Sequence, residues 1–137
     1  MPKYGVVILT GSRDWEDPLP VDLLLRGLRS RYQRLIVIHG DNPNGLDAMC
    51  EELCRLLAVR TKPFPANWDA YGPAAGHIRN ETMLRWALRR PQHFRGTYGF
   101  HEDIDSLTPR GNKRGTKHML DITSREKKPA YLTTTKF

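Results

Sequence analysis

The sequence predicts a single α/β domain built on a mostly parallel sheet of about five strands. Three observations predict it. Short apolar runs alternate with stretches of helical spacing along the whole chain. The resulting β-α-β-α-β-α-β-α-β order implies parallel strands with right-handed crossovers. Polar, glycine-bearing segments follow the strands and would all fall on one edge of such a sheet.

The elements follow in order. Residues 4–9 (YGVVIL) form a continuous apolar run with β-branched residues, hence a buried strand. Val21, Leu24, Leu25, Leu28 and Tyr32 repeat at helical spacing, with Arg26, Arg29 and Arg31 off that face. Residues 35–38 (LIVI) make a second buried strand. Leu46, Met49, Cys50, Leu53 and Leu57 mark a second helix, and residues 59–64 a weaker third strand. A third helix spans 78–88, with Met83, Trp86 and Ala87 inward. Residues 94–100 read as a fourth strand interrupted by Gly96 and Gly99. A short helix over 116–124 and a fifth strand over 130–133 complete the domain, residues 1–133, and 134–137 form a frayed tail.

The 137 residues suffice for one domain with a core. Lys and Arg number 22 against 15 Asp and Glu, a net charge of +7. That balance suits a nucleotide, a nucleic acid or an acidic protein, or else a solvated surface. No apolar run approaches the ~20 residues of a membrane-spanning helix. The first apolar run is short and reads as a strand, not a signal peptide. Cys50 and Cys54 sit four apart on a helix, without the CxxC pattern, and read as reduced core thiols. A cytoplasmic protein is the expectation. No metal ligand set is visible, and no cofactor is expected.

The segments after the strands carry the candidate site. Gly11, Ser12 and Arg13 can set a turn, a hydroxyl and a guanidinium beside one anion. Asp14 follows them, and Trp15 either covers a base or caps the core. His39 and Gly40 end the second strand, with His39 a hydrogen-bonding core residue or a ligand contact. Gly45 and Asp47 open the second helix, where Asp47 serves the helix terminus, holds a ribose hydroxyl or positions Arg13. Asn67, Trp68, Asp69 and Tyr71 add polar handles and aromatic faces. Gly76 permits close approach, and the helix start beside Arg79 and Asn80 offers amides to an anion. Gly111, Arg114, Gly115 and Thr116 repeat this theme as a phosphate nest, although the stretch matches neither a P-loop nor GxGxxG.

Four pieces together resemble the YspA, cpYpsA-related branch of the SLOG superfamily. They are GSRDW (11–15), HG....G.D (39–47), A.W..YG.AAG.IRN..ML (66–84) and RGT..M (114–119), in family order. The resemblance spans roughly Val6 to Ile122. It implies a Rossmann-like, three-layer α/β/α fold that binds nucleotides or nucleotide-derived ligands, in proteins of bacteria and their phages. It implies pairing of copies as a homo-oligomer. The superfamily includes the Lonely Guy phosphoribohydrolases, which cleave the N-glycosidic bond of nucleoside monophosphates. Residues 79–83 look like their R-K-x-x-M helix start, with Asn80 for Lys. Residues 115–119 look like their G-T-x-x-E loop, with Met119 where the catalytic Glu stands.

Three functions compete. A protein that senses or sequesters a nucleotide explains every loop and the missing Glu. An N-glycosidic hydrolase, with Arg79 in its catalytic machinery, needs another carboxylate, drawn from Glu81, Glu102, Asp103 or Asp121. Binding of single-stranded nucleic acid would use the net charge with Trp15, Trp68 and Tyr71 as stacking faces.

Overall fold

The computed structural model describes residues 3–102 and 114–134. Five strands, β1 (Tyr4–Gly11), β2 (Arg34–His39), β3 (Arg60–Pro63), β4 (Phe94–Phe100) and β5 (Ala130–Thr133), form one sheet. Their order is β3-β2-β1-β4-β5 and every pair is parallel. The helices are α1 (Pro18–Arg31), α2 (Gly45–Leu56), α3 (Trp68–Tyr71), α4 (Ala75–Leu88) and α5 (Arg114–Arg125). The fold is the expected Rossmann-like α/β/α sandwich.

Alternation along β1 builds both cores. Val7 and Leu9 face one cluster with Val21, Leu25 and Leu28 of α1 and Leu46, Cys50 and Cys54 of α2. Val6 and Ile8 face the other, with Met83, Leu84 and Ala87 of α4 and Met119 and Ile122 of α5. Successive side chains of a strand point to opposite faces, so a central strand coated on both sides must be apolar throughout. Both cysteines are free thiols in the first core. No helix among the described residues is long and apolar enough to cross a membrane.

Two expectations need correction. β4 is continuous through its glycines. Its register against β1 shifts between Val6 and Val7, which pair with Phe94 and Gly96, so Arg95 is a bulged residue. Gly96 takes φ +121°, and a Cβ there would meet the Pro129 carbonyl at 2.6 Å. The segment after β3 is not an open loop. Asn67 caps α3, accepting from the Ala70 amide at 3.0 Å, and a 3-10 turn at Gly72–Ala74 runs straight into α4. Helix α4 therefore begins at Ala75 rather than at residue 78. The Ala75 amide already bonds to the Gly72 carbonyl, so Arg79 and Asn80 work through their side chains, not as free helix-start amides.

Candidate functional site

The carboxyl ends of the strands border a cavity of about 800 Å³. In this strand order the connections leave β1 and β4 towards opposite faces, which opens a crevice between them. The cavity wall draws on every connection at that edge. Gly11, Ser12, Arg13 and Asp14 come from the end of β1, Gly40 and Asp47 from β2 and α2. Trp68, Gly76, Arg79 and Asn80 come from α3 and α4, and Gly115 and Thr116 from the start of α5.

Arg79 is fixed from two sides. Its Nη1 donates to the Gly40 carbonyl at 2.5 Å and its Nε to Asn80 Oδ1 at 3.0 Å. Among the described residues Nη2 has no hydrogen-bond partner, so one face of the fork is left for a ligand. Burial pulls the guanidinium below its ordinary value, with Arg13 acting in the same direction and Asp47 against it. It remains cationic at neutral pH. Arg13 is exposed and brings a second cation to the same wall.

Asn80 is almost fully buried and joins α4 to α5. Its Nδ2 donates to the Gly115 carbonyl at 3.1 Å and lies 3.2 Å from His118 Nδ1. The His118 ring stacks on His77 at 3.9 Å. Burial lowers the His118 pKa and the neighbouring imidazole adds to the fall. Ser12 ties β1 to the end of β4, donating to Glu102 Oε1 at 2.9 Å and accepting from the Asp14 amide.

Asp47 is the buried acid of the wall. It accepts from the Asn42 amide at 3.1 Å. Burial pushes its carboxyl above the ordinary 3.8, against the Asn42 amide, His39 and Arg79. Arg79 is an arginine neighbour of this carboxyl: its guanidinium and Asp47 Oδ2 both crowd the position a Gly40 Cβ would take.

Several expected site residues support the cavity without lining it. Trp15 is buried in the core, edge-on to Phe100 at 5.6 Å, with its indole N–H on the Asp17 carbonyl. It caps the core and does not line the cavity. His39 is a core residue with both ring nitrogens engaged. The Asp41 amide donates to Nδ1 at 3.0 Å, which leaves Nε2 as the donor to Glu51 at 2.8 Å. Gly45 sits at φ +69° with the backbone of Ser12 and Arg13 where a Cβ would be. It lets α2 start against the β1 turn. Asn67 is the α3 cap. Gly111 and the Arg114 side chain lie outside the described residues, as does Asp103.

Met119 is fully buried in the second core and does not reach the cavity. Glu81 is exposed and off the wall, and Asp121 pairs with Lys117 at 2.7 Å. Among the described residues, the acids that line the cavity are Asp14, Asp41 and Asp47. Residue-type reasoning missed His77, Met83, Asn42 and His101, all in the wall. His101 had a signal, being the first residue after β4. His77 had none, because its role comes from the earlier start of α4.

No family model matches the chain. The sequence is similar to the Gene 61 protein of Mycobacterium phage D29, at 28% identity over 122 residues, covering 83% of this chain and 84% of that protein. Nearly the whole domain therefore has a counterpart in a phage protein of comparable length.

Proposed function

We propose that the cavity binds a nucleotide or nucleotide-derived ligand, and that the protein senses or sequesters it. The observation that carries this reading is the meeting of Arg13 and the anchored Arg79 fork in one cavity at the crevice of a parallel sheet. Two cations there suit phosphate, and Arg suits it through its planar fork. Trp68, half exposed on the same wall, offers a face for a base. Membership of the SLOG superfamily, a phage or bacterial setting, a cytoplasmic location and pairing of copies belong to this proposal. The phage relative agrees with the setting.

A second reading, N-glycosidic hydrolysis, is favoured by one observation. Asp47 puts a buried carboxyl with a raised pKa beside Arg79. A raised pKa suits a general acid at the leaving base. The buried Met119 speaks for binding without cleavage.

Native mass spectrometry of the purified protein, followed by release and identification of the ligand, tests both. A retained nucleotide released intact supports sensing. A free base with a ribose phosphate supports cleavage. Failure of the protein to bind any nucleoside phosphate or ADP-ribose derivative in calorimetric titration overturns the proposal.

A further inference from the structure

The basic residues are not spread evenly over this fold. All strands of a parallel sheet start at one edge, here the edge opposite the cavity. The chain reaches that edge at Lys3 and through the turns before β2, β3, β4 and β5. Lys3 together with residues 29–34, 57–60, 89–95 and 125–130 holds eleven Lys or Arg and one acid, Glu126. The rest of the sequence holds the other eleven cations and fourteen acids, so this edge alone accounts for the net +7.

Helix ends explain only part of it. Arg29, Arg31 and Arg125 lie in last turns, where a cation favours the helix dipole. Lys3, Arg34, Arg60, Arg95, Lys127 and Lys128 lie beyond any helix end. None of the eleven makes an ion pair among the described residues.

The cations are instead held in a connected row. The Arg34 amide donates to the Lys3 carbonyl at 3.1 Å. The guanidiniums of Arg95 and Arg31 lie 4.9 and 6.0 Å from the same Tyr32 ring. Arg95 Nη2 also donates to the Tyr4 carbonyl at 3.1 Å, and Lys128 Nζ to the Pro91 carbonyl at 3.1 Å. Like charges gathered around a single carboxylate, Glu126, raise the local potential and draw in a polyanion.

We propose that this edge binds the phosphate backbone of double-stranded nucleic acid, without sequence preference and apart from the cavity. Eight of the eleven cations are Arg, the better phosphate fork. Five strands about 4.8 Å apart make a row of roughly 19 Å, enough to reach both phosphate walls of a major groove of about 12 Å. Single strands are bound through open stacking faces, and the rings at this edge are already engaged: Tyr4 against His93 at 4.8 Å, Trp86 under the Arg90 guanidinium at 3.6 Å, and the buried Tyr32 with the Arg95 guanidinium 4.9 Å from its ring. The exposed Trp68 and Tyr71 belong to α3 on the cavity side, and Tyr131 stacks on Tyr98 at 4.9 Å. Of the exposed leucines, Leu19 and Leu23 lie on α1, and Leu56, the last residue of α2, borders the row as a single side chain rather than the apolar face a lipid surface needs.

The test is fluorescence anisotropy with a short labelled duplex of arbitrary sequence, between about 50 and 200 mM salt. Binding should weaken steeply with salt, by about 0.9 in logarithmic slope per phosphate neutralised. Arg34→Gln/Arg89→Gln/Arg125→Gln should flatten that slope by about 2 to 3 and weaken binding at least about tenfold at low salt. Arg26→Gln/Lys62→Gln/Lys117→Gln removes the same net charge elsewhere and should leave the slope intact. Circular dichroism checks each fold, and Arg34→Gln alone replaces a triple variant that does not fold. Absence of duplex binding at low salt overturns the proposal. So do equal losses in the two triple variants, tighter binding of a single strand, or binding only to phosphatidylserine vesicles.

Discussion

Arg79 Nη1 donates to the Gly40 carbonyl at 2.5 Å, and that bond ties α4 to the end of β2. The two residues are 39 apart in sequence, and each needs the other's chemistry. Gly40 has no Cβ, and Arg79 fills the space where one would be. A Cβ on Gly40 would lie 2.6 Å from Arg79 Cζ and 2.9 Å from Asp47 Oδ2.

Gly40→Ala should therefore behave as a cavity mutant although it removes no functional group. The guanidinium has to leave its seat. Overpacking of this kind costs about 1–3 kcal/mol. Urea denaturation should show that loss, and calorimetry should show nucleotide affinity falling about as far as in Arg79→Ala. Wild-type affinity in Gly40→Ala would mean that the anchored position of Arg79 is not the binding position.

Asp47 gives a pH signature of defined sign. Its folded pKa lies above 3.8, so between the two values the native state holds more protons than the unfolded chain. Stability from this group is then fully present below about 3.8 and falls as pH rises through the folded pKa. Asp47→Asn keeps an acceptor for the Asn42 amide and removes the titration. The stability of wild type relative to Asp47→Asn should decline from pH 4 towards neutrality in urea denaturation. A difference that does not vary with pH would show that Asp47 is not held above its ordinary value.

Much of this was legible in the sequence, and the limits have physical causes. The five strands were legible because central strands buried on both faces must be continuous apolar runs, as in residues 4–9 and 35–38. The edge rule places Ser12, Arg13, Gly40, Arg79, Asn80 and Thr116 together from the sequence, and the cavity wall contains all six. Trp15 and His39 were ambiguous because a large side chain after a strand fits either a core cap or a ligand wall. Only contacts such as those to Phe100 and Glu51 decide between them. The early start of α4 was hidden because Ala74, Ala75 and Gly76 read equally as a flexible approach and as a helix. The closeness of Asp47 to Arg79 is a matter of tertiary distance, which spacing does not encode.

His118 should titrate below 6.5. Burial disfavours its cation first, and the stacked His77 disfavours it further. Protonation at Nδ1 would also remove the acceptor that Asn80 Nδ2 faces at 3.2 Å. The native state thus binds fewer protons than the unfolded chain just below 6.5, and stability from this group is lost as pH falls through that window. Removing His77 relieves one cause, so His77→Ala should move the His118 pKa upwards. Imidazole ¹H–¹⁵N spectra recorded against pH read both values directly. An unchanged His118 pKa in His77→Ala would assign the fall to burial and the Arg125 charge, with no part for His77.

Trp68 makes the proposed ligand visible without a label. The chain has three tryptophans in three environments. Trp15 is 3% exposed in the core. Trp86 is partly buried, with the Arg90 guanidinium 3.6 Å from its ring. Trp68 is 50% exposed and lines the cavity, with its ring 3.6 Å from where a Gly76 Cβ would stand. A base stacked on the free face of that indole should quench its emission, and the other two indoles lie off the cavity wall. Nucleotide titration should therefore quench intrinsic fluorescence in wild type and leave Trp68→Phe nearly silent. Stacking on aromatic faces contributes about 1–3 kcal/mol per base, so Trp68→Ala should weaken binding by about 5- to 150-fold while Trp68→Phe weakens it less. Quenching that survives in Trp68→Phe would place the ligand elsewhere. Full affinity in Trp68→Ala by calorimetry would leave the cavity binding phosphate and sugar, with the base turned away from Trp68.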